Sequence, residues 1–197
     1  MQEAVPEGEG GMIAVLGSEL EILEDIINKK KNEFRCFIAI DISNGQIVLS
    51  GTMDNIEKLS IYLNSIKIKN IKLSVSAPFH CELMKSATEL MRNELAKVIF
   101  KNFETTLISN VTAKEVEDSS LIRELLVRQI ESRVRWRESI NYMIKNGVNN
   151  FIEIGPGKVL SGLVKRIDKK VKVSAINNEE DISKIKISWL ILKIKKS

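Results

Sequence analysis

Histidine is nearly absent from this sequence: His80 is the only one in 197 residues. Cysteine is scarce as well. Cys36 and Cys81 have no second-pair spacing and no His/Cys cluster near them, so neither a disulfide framework nor a zinc site is supported. Two reduced thiols imply a cytoplasmic setting. Aromatics make up 5% of the chain, and the strand-like segments lack the interleaved stacking rings of a nucleic-acid platform. Neither sign of charge dominates: 30 basic residues face 26 acidic ones, for a net +4. That mild excess would suit an acidic protein partner and is no nucleic-acid signature. Long hydrophobic runs are missing too. The opening "MQEAVPEGEGG" is acidic and polar, without a signal-peptide pattern. "WLIL" near the end is too short to span a bilayer.

What is present suits one domain, or one large and one small lobe. After a lead-in coil over 1–11 comes a strand, "MIAVLG" (12–17). A helix follows with Leu20, Leu23, Ile26 and Ile27 at helical spacing and Ser18 as N-cap. "CFIAIDI" (36–42) and "QIVLSGT" (46–52) read as strands joined by an Asn-Gly hairpin turn. A second helix places Ile56, Leu59, Leu63 and Ile66 on one face, and "IKLSV" (71–75) closes the unit. The order β-α-β-β-α-β over 12–75 is the ferredoxin-like pattern.

From 76 to 182 the pattern changes. A helix after His80 carries Leu83, Ala87, Leu90, Met91 and Leu95 on one stripe. "TTLISNV" (105–111) reads as a strand. Two helices follow: one with Ile122, Leu125, Leu126 and Gln129 on one face, the other with Trp136, Ile140, Met143 and Ile144 turned inward and Gly147 as its stop. Then come a short buried strand (151–155), a helix from Lys158 and a last strand (171–177). Alternating strands and helices predict an α/β layer with a parallel sheet. About three strands are too few to be covered on both faces, so this lobe reads as incomplete. A basic Lys/Ile-rich tail fills 183–197.

His80 is the first chemical candidate. A lone histidine is more often structural or exposed than catalytic, yet imidazole suits general-base work and strand ends gather α/β sites. Gln129 puts an amide on an apolar stripe; a satisfied core amide is the blander explanation. "GPGK" (155–158) fails the phosphate-loop spacing, and Val159 stands where Ser or Thr would bind magnesium, so it is a tight strand-to-helix turn. No G-x-S-x-G nucleophile elbow occurs anywhere. Cys81 is next to His80, but neighbours in an extended segment point to opposite sides.

"MQEAVPEGEGGMIAVLG", "GQIVLSG", "LSVSAPFHCELMKSA", "ISNVTAK", "LVRQIESRVRW" and "IEIGPGKVLSGLVKRI", taken in order, resemble the malonyl-CoA:acyl-carrier-protein transacylase family, the acyltransferases of fatty-acid synthesis. They cover residues 1 to about 177. The resemblance implies an α/β-hydrolase-like large subdomain with a ferredoxin-like small one, and a Ser–His dyad in a ping-pong transfer. Its substrates would be malonyl-CoA and phosphopantetheinylated acyl carrier protein, with no bound cofactor and no metal. His80 in "PFHCELM" matches the catalytic base. Gln129 in "LVRQ" matches the residue whose main-chain carbonyl orients that base. Asn110 in "SNV" matches a position near the active-site floor.

The family's Ser elbow and carboxylate-clamping Arg lie upstream of anything matched here. The resemblance therefore describes a C-terminal portion: an incomplete large subdomain over 76–182 beside a complete small one. The partners it implies are acyl carrier protein, reached through lysines such as Lys85 and Lys158, and a separate N-terminal half. Negligible turnover is expected of the chain alone, because nucleophile and base act as a unit. Unpaired strand edges and a bare apolar face are expected too. A non-catalytic remnant, or a module that only binds the carrier protein, is the alternative. Ile40 and Ile42 stand where relatives often carry Asn-x-Asn, which changes the cleft lining on the small-lobe side. The tail departs from the family's ending and reads as a shifted frame or an amphipathic membrane-surface segment.

Overall fold

Two short, largely apolar runs meet at Asn44-Gly45 and form the central hairpin. The computed structural model describes residues 4–75 and 77–184. The hairpin strands are β2 (Cys36–Ser43) and β3 (Gln46–Thr52), with Gly45 in the left-handed region at φ 72. β1 (Gly10–Leu16) pairs along the other edge of β3, and β4 (Lys69–Lys72) along the other edge of β1. All three pairings are antiparallel, giving the order β2-β3-β1-β4. β1 starts inside the stretch expected to be coil, at Gly10.

Helices α1 (Leu20–Lys29) and α2 (Met53–Ser65) connect the strands. Leu23, Leu59 and Leu63 pack with Ile13, Val15 and Leu49 in one apolar cluster. Thr52, read from the sequence only as the end of a strand, caps α2, its Oγ1 accepting the Asn55 N–H at 3.4 Å. Ser18 does not cap α1: Glu19 holds that position without a side-chain bond, and the Ser18 hydroxyl turns to the Glu19 carbonyl. A separate cluster on Met12, Ala14, Ala39 and Val48 takes Leu73, Val75 and Phe79. That cluster anchors the segment leading into His80.

A 3-10 turn (Glu82–Met84) and α3 (Lys85–Ala96) follow, then β5 (Ile108–Ser109), β6 (Lys114–Glu115), α4 (Ile122–Gln129) and α5 (Trp136–Lys145). Met84, Ala87 and Ile130 form a third cluster with Ala4, Val5 and Phe79. Several expected faces differ from those observed. On α3 only Ala87 is buried, and Leu90 is 69% exposed. On α4 the buried residue is Val127, while Leu126 is exposed. The strand expected over 105–111 is two residues long. Periodicity reports an apolar stripe but not whether anything within the chain covers it.

The chain divides into two compact units, Met1–Tyr142 and Met143–Ser197. In the second, β7 (Asn150–Ile154) and β8 (Lys172–Ile176) pair in parallel, joined by α6 (Val159–Ile167). β7 was expected to be buried; instead Ile152 and Ile154 are exposed, Ile154 by 80%. The chain is thus a mixed α/β protein. No helix among the described residues is long and apolar enough to cross a membrane. Apart from its first two residues, the 183–197 tail lies outside the described residues.

Candidate active site

His80 lies where the chain leaves the sheet. Pro78 packs directly over β1 at Gly10. A Cβ on Gly10 would stand 2.2 Å from Pro78 Cδ, so only glycine lets the turn sit this close. The Cys81 thiol donates to the Pro78 carbonyl at 3.0 Å and closes the turn. Between them His80 takes φ 61, in the left-handed region. Non-glycine residues held there are strained, and such strain clusters at functional sites.

The His80 ring reaches α4. Its Nδ1 lies 3.0 Å from the main-chain oxygen of Gln129, 49 residues away in sequence. A carbonyl can only accept, so Nδ1 carries the hydrogen and Nε2 keeps its lone pair. The partly buried Gln129 amide donates to the Ser132 carbonyl at 3.3 Å and leaves the main-chain oxygen to the imidazole. Burial pulls the His80 pKa below its usual value, partly offset by the bond to Gln129. The ring is therefore neutral near pH 7, as a base must be.

His80 lines a cleft of about 460 Å³ with Cys36, Ile38, Cys81, Glu24 and Arg133. Burial raises both thiols, that of Cys36 to about 12, so neither is an activated nucleophile. Asn110 is placed elsewhere. It lines a second, largely apolar cavity of about 200 Å³ with Leu107, Leu126 and Gln129. Its carbonyl accepts the Arg135 N–H at 3.0 Å. Gln129 thus borders one cavity while its carbonyl serves the other.

Reading the sequence for motifs missed an ionic network beside the cleft. Asp41 on β2 is fully buried, and its two carboxylate oxygens share the single Arg137 Nε–H, at 2.9 and 3.0 Å. Arg133 reaches Glu24 on α1 at 2.7 Å and Glu138 at 3.5 Å. Arg135 also pairs with Glu138. The available signal was Asp41 itself, one charge in the otherwise apolar run "CFIAIDI".

In the second unit the GPGK turn is closed to anions by its own chain. Gly155 and Gly157 take positive φ values, and Glu153 accepts the Leu160 and Ser161 N–H groups at 3.1 and 2.8 Å. The helix N-terminus that would bind a phosphate already holds a carboxylate. Among the described residues no group of three or more His, Cys, Asp or Glu could hold a metal ion.

Known proteins share this arrangement of elements. The acyl transferase domain family matches residues 1–186. The malonyl CoA-acyl carrier protein transacylase of Bacillus subtilis (strain 168) is 43% identical over 184 residues, 92% of this chain and 58% of that protein. The crystal structure of malonyl CoA-acyl carrier protein transacylase from Clostridium perfringens matches with a TM-score of 0.93 and 38% identity, covering 100% of this chain and 62% of that one. A malonyl-transacylase solved with a type II PKS acyl-carrier protein matches with a TM-score of 0.85 and 32% identity, over 91% of this chain and 59% of that one. This chain spans 58% to 62% of the length of the first two.

Proposed function

We propose that this chain, which belongs to the acyl transferase domain family, supplies the general base for malonyl transfer from coenzyme A to an acyl carrier protein. The observation that carries the reading is the His80 Nδ1 contact with the Gln129 carbonyl at 3.0 Å, which leaves Nε2 as the free base beside a cleft. Nε2 takes the proton of an attacking hydroxyl as its oxygen bonds to the malonyl carbonyl. It returns that proton to sulfur as the thioester C–S bond breaks. In the second half the carrier's phosphopantetheine thiol gives its proton to Nε2 and attacks the ester, and the hydroxyl recovers a proton as it leaves. The Gln129 oxygen steadies the imidazolium at each stage, the part an Asp plays in a triad.

The 197 residues contain no G-x-S-x-G string. In this reading the serine and the carboxylate-binding arginine come from polypeptide outside them. The greater length of the relatives supports this, as do exposed Leu107, Leu121 and Leu126, an apolar surface such a segment would cover. The finer architecture follows: residues 12–75 as the ferredoxin-like small subdomain, supported by the β2-β3-β1-β4 order, and 76–182 as part of an α/β-hydrolase-like large one. The carrier protein as partner rests on the solved complex of the relative.

The test is transfer of labelled malonyl from malonyl-CoA to holo-carrier protein, by this chain alone and mixed with a polypeptide bearing the elbow and the arginine. We expect negligible turnover alone, turnover on mixing, and a loss of at least about 10³-fold in the mixture with His80→Ala. A mixture in which His80→Ala transfers as fast as the unaltered chain overturns the reading.

A further inference from the structure

We propose that two arginine–carboxylate pairs, Arg137–Asp41 and Arg133–Glu24, are positioning groups that hold the Gln129 carbonyl on His80. The backbone shows how. Five residues after Gln129 the chain joins the outer edge of β2: the Val134 N–H donates to the Ala39 carbonyl at 2.8 Å, and the Asp41 N–H to the Val134 carbonyl at 3.0 Å. Between these points the chain is turned, with the Ser132 N–H bonded to the Arg128 carbonyl at 2.9 Å and the Gln129 amide to the Ser132 carbonyl. A turned tether this short has no slack. Where Val134 is seated decides where the Gln129 oxygen stands.

The arginines flank that seat. Arg133 ties its upstream side to α1 through Glu24, and Arg137 ties its downstream side to β2 through Asp41. Arg137 also reaches Asn44 in the hairpin turn at 3.4 Å. Asp41 is fully buried and Arg137 is one quarter exposed. Such a pair is weak evidence for stability, because desolvation offsets most of the attraction and an apolar pair often serves as well. A directional pair does something an apolar pair does not: it fixes the register of the segment it holds. Burial pushes the Asp41 carboxyl up even beside Arg137, in line with a pair whose value lies in geometry.

The consequence for catalysis rests on the acyl-transfer reading, but the positioning is measurable without substrate. His80 is the only histidine, so its two ring nitrogens stand alone in a long-range ¹H–¹⁵N spectrum. With the carbonyl in place, Nδ1 is protonated and Nε2 bare, and their shifts lie far apart. In Asp41→Leu/Arg137→Met, which leaves net charge unchanged, we expect a folded chain whose urea midpoint is little altered, with the separation between the two shifts reduced by roughly half as the tautomers mix. Glu24→Ala, at a half-exposed site, tests the second pair and should give a smaller reduction. The tautomer is the readout there, since losing a nearby negative charge moves the His80 titration by itself. Lys58→Met removes an exposed pair on α2 and should leave the separation as it was. A folded double variant that keeps the full separation overturns the proposal. If the double variant does not fold, an unchanged separation in Glu24→Ala overturns it. A change of equal size in Lys58→Met would do so too, by showing that the response is not local to the cleft.

Discussion

At position 80, removing the side chain to Gly should leave a more stable protein than removing it to Ala, the reverse of the usual order. The reason is the backbone. His80 sits at φ 61, and a left-handed conformation costs a residue with a Cβ about 1–2 kcal/mol, a cost glycine does not bear. Both substitutions lose the ring and its bond to Gln129, a net loss of about 0.5–1.5 kcal/mol in either case. Glycine also frees the unfolded chain by about 0.4–1 kcal/mol, which opposes its advantage. The difference leaves Gly ahead of Ala by roughly 0.5–1 kcal/mol. Urea unfolding followed by circular dichroism would show it: with m about 2 kcal/mol/M, the Gly midpoint lies about 0.25–0.5 M above that of Ala. His80→Asn should fall between them, since Asn tolerates this conformation better than Ala. An Ala variant as stable as the Gly variant, or more so, would mean that the turn relaxes without cost and that no strain is held at position 80.

Gly10→Ala drives a Cβ into Pro78, so it should cost about 1–3 kcal/mol in urea and displace the 77–81 turn, seen as mixed tautomers of His80; normal stability with an unchanged imidazole would contradict the close approach. Cys36, 3% exposed and pushed up to about 12, holds roughly one part in 10⁴ thiolate at pH 8, so iodoacetamide should label it only after guanidinium is added; rapid labelling of the native chain would refute the burial. The His80 pKa is lowered on folding, so its contribution to stability is complete above the unfolded value of about 6.5 and is lost as pH falls through the folded value; its NMR titration midpoint should therefore lie below 6.5, and one above would reverse the sign.

The element order of the first four strands and two helices was legible because these elements bury their apolar residues against one another within the same segment. β2 and β3 are short, largely apolar runs around a turn that suits glycine, and α2 has Ile56, Leu59 and Leu63 at helical spacing. The stripe on α3 obeys the same period, yet Leu90 and Met91 are exposed. On α4 the stripe through Leu126 lost its place to Val127, which is buried, and just beyond the helix Ile130 joins Ala87 of α3 and Ala4 and Val5. Periodicity carries no information on what stands opposite. The Ser18 cap failed for a local reason: the helix starts at Leu20, so Glu19 takes the cap position and Ser18 lies one residue too early. At the site, spacing alone could rank His80 no higher than a candidate. Its partner is a main-chain atom, which no side-chain pattern encodes: the stripe marked Gln129 for its amide, and the resemblance was needed to point to its carbonyl.

The same argument explains why the ionic network escaped notice. A motif is a set of residue types at fixed spacing, but Asp41 and Arg137 are 96 residues apart and meet only because Val134 adds itself to the edge of β2. Before folding, Asp41 looks like a defect in a strand. After folding, it would expose an unpaired charge to an apolar interior unless the 133–137 segment arrives in one register, so the defect selects the register. Gln129 lies within the same short tether, and the accuracy with which its carbonyl meets His80 depends on that selection. On the proposed reading, the state of Nε2 depends on a residue that bonds to Arg137 and not to His80. The site is then constrained from the strand as well as from the turn around the histidine.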